Sequence, residues 1–550
     1  MSVARRLLSS CILLTFPLII TSASASSDCA PPPIPIRIGN VTLSNGHTAR
    51  GLDISVGTPP QSFAFLPQWP LNNSFLYGTN GLCNSSWASD VCTTFRGGQY
   101  DEFASKTRAS PGTDSYPSDG SPYPSMKFVT DNYILNSNIT KKDYPIGIAR
   151  ADWGEQGYYP QTAMGLGSNS TILNALSASG QIASRTWSMF WGRVGATSAT
   201  QMDGSFVFGG YDRAKVSGQN HTQSLSTSKQ SCPTGMLVTI TDMTLNFSNG
   251  TDISLFDGAE STAISACLVP SYPVLMTIPL KPYFGNFESD TNQSMSLRTF
   301  GLYYYGLLYD GNMPGSGPYT GDLTIELDSG FSARIPNDQL VVPNLTIDEE
   351  TGALIADGST PELVLNAIQE INANDLPQLG RQFLTAAYLM LNQEAQEFTL
   401  WQANPTENED LVAVDSQNNA IQRFCSPPSQ VSNDSSSTNN LGPASSNSKS
   451  TSSTNSAPGT QAKRISTGAL AGIAVGCIAA LGILVGIFFW ICVRRIKSKR
   501  QFRTRISTQA STSFLAGQIY PDPLKVPHFI PQELHAIPVK SFSMLHQELP

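Results

Sequence analysis

Charged residues make up only 13% of the 550-residue chain, about half of the roughly 25% typical of soluble domains. Histidine is scarce too. Of five, His528, His535 and His546 lie near the C-terminus, so only His47 and His221 serve the main body. That leaves little room for a His-rich metal centre or a Ser-His triad. No Gly-x-x-x-x-Gly-Lys-Ser/Thr stretch occurs, which excludes a phosphate-cradling P-loop. Neither a metal nor an organic cofactor is implied. A surface poor in charge and filled with Ser, Thr, Asn, Gln and Gly suits a secreted, glycosylated chain.

The ends suggest a topology. Arg5 and Arg6, the apolar run from Leu7 to Ile20, and the small residues Ala23-Ser24-Ala25 read as a signal peptide over 1–25. Ala469 to Val493 holds no charge, and the stretch 467–493 is long enough for a transmembrane helix. Arg494, Arg495, Lys497, Lys499, Arg500, Arg503 and Arg505 follow at once. By the positive-inside rule the tail 494–550 is cytosolic and the N-terminus extracellular, as in a type I protein of the plasma membrane or secretory pathway. The basic collar 494–505 is suited to anionic membrane lipid. Between Ser26 and Val493, 22 basic residues stand against 38 acidic ones, which disfavours nucleic acid as a partner. Gly468, Gly472 and Gly476, with Gly482 and Gly486, recur at the spacing that lets two membrane helices approach, so a homodimer is expected there.

Cys29, Cys83, Cys92, Cys232, Cys267 and Cys425 lie on the exterior side, an even number suited to three disulfides, with Cys83–Cys92 the closest pair. Glycosylation sequons stand at Asn40, Asn72, Asn84, Asn138, Asn169, Asn220, Asn246, Asn249, Asn292, Asn344 and Asn433, and none in the tail. Residues 426–464 are rich in Ser, Thr, Asn and Pro and read as a disordered stalk; the tail reads as disordered too. The folded unit is then 26–425, large enough for two lobes. Alternation predicts strands at Gly51–Val56, Ser205–Phe208, Met236–Ile240 and Leu323–Leu327, and helices at Thr171–Leu176 and Thr360–Ile371. The result is a mainly β domain with short helices.

Two segments bring chemistry: Val56-Gly-Thr-Pro-Pro-Gln61 before Ser62-Phe-Ala-Phe-Leu66, and Leu323-Thr-Ile-Glu-Leu-Asp-Ser-Gly330. They resemble the turn and the catalytic loop of pepsin-like aspartic peptidases. Ala163-Met-Gly-Leu-Gly167, Gly204-Ser-Phe-Val-Phe-Gly-Gly210, and Leu379-Gly-Arg-Gln-Phe-Leu384 with Tyr388 resemble further landmarks of that family, in family order. The resemblance implies a two-lobed acid-protease fold with a peptide or protein ligand in its cleft. It also implies a dyad of carboxylates sharing one proton. It assigns Asp328 to the second catalytic position, with Phe331 where a small hydroxyl residue is usual. The first position falls on Gln68, followed by Trp69 and Pro70. Gln68 cannot ionise, and Pro70 replaces the loop glycine. Asp53 is a carboxylate nearby but precedes the turn, and no flap is assignable between Gly97 and Ile134. The expected protein is a membrane-anchored homologue that binds or senses without cleaving. The alternative is an acid endopeptidase using Asp328 and an unrecognised partner.

Overall fold

The computed structural model describes residues 29–425 except 70, 84–85, 112–115, 117–118, 120–125, 150–160, 196–200, 228–231, 259–261, 296–305 and 310–316. The expected signal peptide, stalk, membrane span, basic collar and tail, with Asn84 and Asn433, lie outside the described residues. Every described residue belongs to one compact unit. No described helix is long and apolar enough to cross a membrane.

The fold is mainly β. Alternation places the strands where the sequence predicts them. In Thr48–Val56 the side chains of Leu52, Ile54 and Val56 are buried, and Leu52 pairs with Phe65 and Ile54 with Phe63 of the strand Gln61–Gln68. Ser205–Phe208 and Leu323–Leu327 likewise fall in strands, at Gly204–Phe208 and Asp322–Leu327, and Met236–Ile240 does so from Leu237 on, in the strand Leu237–Asn246. The helix Thr171–Ala178 is capped by Ser170, whose hydroxyl accepts from the Leu173 amide at 3.3 Å, and it buries Ile172, Leu173 and Leu176.

The helix expected at Thr360–Ile371 is not there. The segment forms the end of the strand Leu354–Leu363, then the strand Leu365–Ile368, then a single 3-10 turn, Glu370–Asn372. Glu362, Leu363, Val364, Leu365 and Asn366 are all buried, so no exposed face reveals a period of two. A short apolar run of this kind cannot be told from a helix by periodicity.

Two halves of the chain repeat one device. In the first, Gln61–Gln68 runs parallel to Ala163–Gly165; the chain then loops over and returns as Phe75–Leu76, antiparallel to Ala163. In the second, Ile264–Leu268 runs parallel to Gln378–Leu379, and the chain returns as Met276–Pro279, antiparallel to Leu379. Each returning strand then pairs in parallel with a further one, Thr140–Ala149 in the first half and Leu365–Ile368 in the second. Each incoming strand is preceded in its sheet by an antiparallel neighbour, Thr48–Val56 and Leu237–Asn246 respectively. The first set belongs to a twelve-stranded sheet and the second to an eight-stranded one, counted over described residues.

Three disulfides close the unit: Cys29–Cys425, Cys83–Cys92 and Cys232–Cys267. The first joins residues 396 positions apart, and around it the Ala30 amide donates to Arg423 O and the Cys425 amide to Ala30 O, each at 2.9 Å. The beginning and end of the folded unit are therefore stapled together. Replacing Cys29 and Cys425 by Ser is expected to cost about 2–5 kcal/mol of stability, read as a lower denaturation midpoint in urea.

Candidate functional site

The repeated device crosses a loop over a glycine in each half. A Cβ on Gly165 would lie 2.5 Å from the carbonyl carbon of Asn72, and one on Gly380 would lie 2.1 Å from Val274 O. Only glycine lets the backbones approach this closely. The hydrogen bonds align the two loops residue by residue. The Leu66 amide donates to Thr162 O at 2.9 Å, and the Cys267 amide to Pro377 O at 2.8 Å. Leu66 is thus the counterpart of Cys267, and Pro67 of Leu268. Gln68, opposite Gly165, corresponds to Val269, which precedes Pro270 and Ser271 and donates its amide to Leu379 O at 2.8 Å.

This register corrects the assignment of Asp328. The residue is exposed and begins the tight turn between the antiparallel strands Asp322–Leu327 and Ser332–Ile335. Across that turn the Gly330 amide donates to Leu327 O at 2.9 Å, and the Leu327 amide to Phe331 O at 2.8 Å. Gly330 has φ +82°, so Asp-Ser-Gly here is turn chemistry. His221 faces the turn, with Nδ1 2.9 Å from Ser329 O. Phe331, the oddity of the motif, is a core residue whose ring packs edge-on against Phe383 at 6.2 Å. Asp328 and Gln68 are therefore not equivalent partners across the repeat.

Gln68 is 1% exposed, and its Nε2 is buried with no hydrogen-bond partner among the described residues. Its backbone carbonyl accepts from the Leu166 amide at 2.8 Å. Val269 is buried as well, between Leu268 and Tyr272. One position thus offers a neutral amide and the other a hydrocarbon. Neither ionises, so the pair cannot share a proton or draw one from water.

One carboxylate near the first loop was not singled out from the sequence. Asp119 accepts from the Asn72 amide through Oδ1 and from Asn73 Nδ2 through Oδ2 at 2.7 Å. Burial pushes its pKa up, partly offset by these hydrogen bonds to Asn73 and Asn72. Its bonds tie down the loop after Gln68. Nothing in its local sequence marks it, because its partners are fifty residues away in round terms and meet it only in the fold. Asp53, weighed above as a stand-in, is committed to an exposed ion pair with Arg37 at 2.9 Å.

Among the sequons, Asn138, Asn169, Asn220, Asn249 and Asn292 are exposed, while Asn40, Asn72 and Asn344 are partly buried. Asn246 is buried, with Nδ2 donating to Asp252 at 2.9 Å and Oδ1 accepting from Thr324 at 2.7 Å. Its amide is used by the fold, which corrects its place among the glycan acceptors. Among the described residues no group of three or more His, Cys, Asp or Glu is placed to hold a metal ion.

No protein-family model matches the chain, and no curated protein matches it. Among solved structures, an aspartic proteinase from Irpex lacteus is similar at 14% identity and a TM-score of 0.43, over 68% of this chain and 100% of that one.

As an exposed turn residue, Asp328 is expected to tolerate Asp328→Asn with a stability change within about 0.5 kcal/mol, measured by urea unfolding. A loss of several kcal/mol would contradict the turn assignment.

Proposed function

We propose that the chain is a pepsin-like aspartic peptidase homologue that has lost both carboxylates of its dyad and works by binding a peptide or protein ligand without cleaving it. The observation that carries this reading is the internal repeat, in which Gln68 and Val269 occupy equivalent places after paired parallel strands. The order of the sequence landmarks supports the same family. In such a site the chemistry needs one ionised and one protonated carboxyl about 3 Å apart; an amide and an isopropyl group supply neither. Binding needs only the loops, the sheets that hold them and the polar contacts a ligand can make.

The rest of the proposal concerns setting. A glycoprotein held by one membrane span, with its folded unit outside, accords with the leader-like N-terminus, the uncharged run 467–493 and the three disulfides of an oxidising compartment. Lipid contact at 494–505 and dimerisation through the span glycines belong to the same proposal.

The alternative, an acid endopeptidase relying on Asp328, has little to recommend it with that residue in an exposed hairpin turn. Purified full-length chain is expected to leave a diverse peptide pool uncleaved across about pH 3 to 7, as is Asp328→Asn protein. Gln68→Asp alone is expected to stay inactive, because Val269 still denies it a partner. Cleavage by the wild-type chain that disappears in Asp328→Asn would overturn the proposal.

A further inference from the structure

Away from the two crossed loops lies a recess of about 650 Å³. Its walls come from the strand Ile34–Thr42, the segment 201–205, the turn Arg213–Lys215 with Asp212 before it, and the loop that leads into the strand Leu411–Val414. No described residue of 68–74 or 269–275 lines it. Among the described lining residues four carboxylates, Asp203, Asp212, Glu407 and Glu409, stand against two cations, Arg37 and Lys215. Arg37 is shared between Asp203 at 3.0 Å and Asp53 at 2.9 Å. Lys215 Nζ donates to Thr406 O. Arg213, next to Asp212 in sequence, pairs with Asp410 at 2.8 Å and does not line the recess. The walls carry an excess of negative charge.

Asp212 is the informative acid. It is 1% exposed, and its Oδ1 accepts from the Ala214 amide at 3.1 Å and the Asp410 amide at 2.8 Å. Oδ2 is buried with no hydrogen-bond partner among the described residues. A buried carboxylate oxygen left in that state is costly unless a donor arrives. The Asp212 charge also bears on a second lining acid. Desolvation first, then the Asp212 carboxylate, pushes the pKa of Glu409 up, with Lys215 opposing. Glu407 and Glu409 are both exposed. The acids are too dispersed to close on one metal ion, since no described group of three or more His, Cys, Asp or Glu is placed to hold one. Pro35, Ile36 and Met202 give the walls hydrocarbon as well.

From this geometry we infer that the recess binds an aliphatic oligoamine, a chain of ammonium groups joined by methylenes. One ammonium would seat against Asp212 and supply the donor that Oδ2 lacks. The others would answer Glu407 and Glu409, with the methylenes along Pro35 and Ile36. An alkylammonium carries three N–H donors and a full charge, so its bonds to carboxylates are of the stronger, charge-assisted kind. Dispersed acids suit charges spaced along a chain better than one compact ion. A volume of about 650 Å³ accommodates a linear triamine. The site is distinct from the loops carrying Gln68 and Val269 and does not depend on the reading of those loops.

The test is isothermal titration of the full-length chain in detergent with spermidine, with calcium chloride and butylamine in parallel. Spermidine is expected to bind saturably at one site, and calcium and butylamine each at least about tenfold more weakly. Asp212→Asn removes the charge but keeps an acceptor for the Ala214 and Asp410 amides, and is expected to weaken spermidine at least about tenfold. Glu407→Gln combined with Glu409→Gln is expected to weaken it too. Asp328→Asn, which removes one exposed acid elsewhere, is expected to leave it unchanged. Circular dichroism and urea unfolding establish that each variant is folded; should Asp212→Asn fail to fold, the double glutamate variant decides. Absence of saturable spermidine binding, calcium or butylamine binding as tightly as spermidine, undiminished binding in the deciding variant, or an equal loss in Asp328→Asn would each overturn the inference.

Discussion

The structure depends most on a steric constraint: twice, a loop must pass over a strand so closely that no side chain fits beneath it. At Gly165 and Gly380 an added Cβ would collide with backbone of the crossing segment. The crossing places a parallel neighbour on one side of the central strand and an antiparallel one on the other. It also fixes what lies at the turning point of each loop, Gln68 in one half and Val269 in the other. Backbone hydrogen bonds from Leu66 and Cys267 lock the register, so side chains at the turning points can change while the crossing stays.

The two turning points carry side chains without charge. A buried carboxylate loses hydration and must be repaid by a partner or by protonation. Val269 carries no such cost and adds apolar burial beside Leu268 and Tyr272. Gln68 keeps a polar group in the first loop, but without charge, and one of its donors is left unused within the described fold. A retained polar residue with an unmet donor is a feature a ligand carbonyl could satisfy, and a proton-sharing pair is not. Asp119, whose carboxyl is held by the backbone and side chains of Asn72 and Asn73, serves as a brace for the same loop.

Much of the architecture was legible in the sequence. The half-buried strands announce themselves by alternation, as in Thr48–Val56, and the helix Thr171–Ala178 was expected over Thr171–Leu176. Cys83 and Cys92 pair as their closeness suggests, and Cys425 pairs with Cys29. The strand Leu365–Ile368 was illegible because its one polar residue, Asn366, is buried like Leu365 and Ile368, so no exposed face marks its period. The second half of the site was hidden for another reason. Val269-Pro270-Ser271 has no chemical signature, whereas Asp328-Ser329-Gly330 has one that a hairpin turn also favours. A search for a carboxylate motif finds the turn, whereas the counterpart of Gln68 is found only from strand register.

That confusion bears on how retained landmarks should be read. Gly165 and Gly380 are demanded by packing, and they would be demanded whether or not a proton ever moved between two carboxyls. Tyr388 is buried with its hydroxyl 2.9 Å from Ser188 Oγ and accepting from the Asp212 amide at 2.8 Å, so it too has a structural reason to persist. Such residues testify to the scaffold alone. Only groups that fold stability does not require can report on chemistry, and in this chain those are the side chains at the two turning points. There the chain carries an amide, Gln68, and a branched hydrocarbon, Val269. The steric demand at Gly165 and Gly380 is therefore independent of which side chains stand at the two turning points.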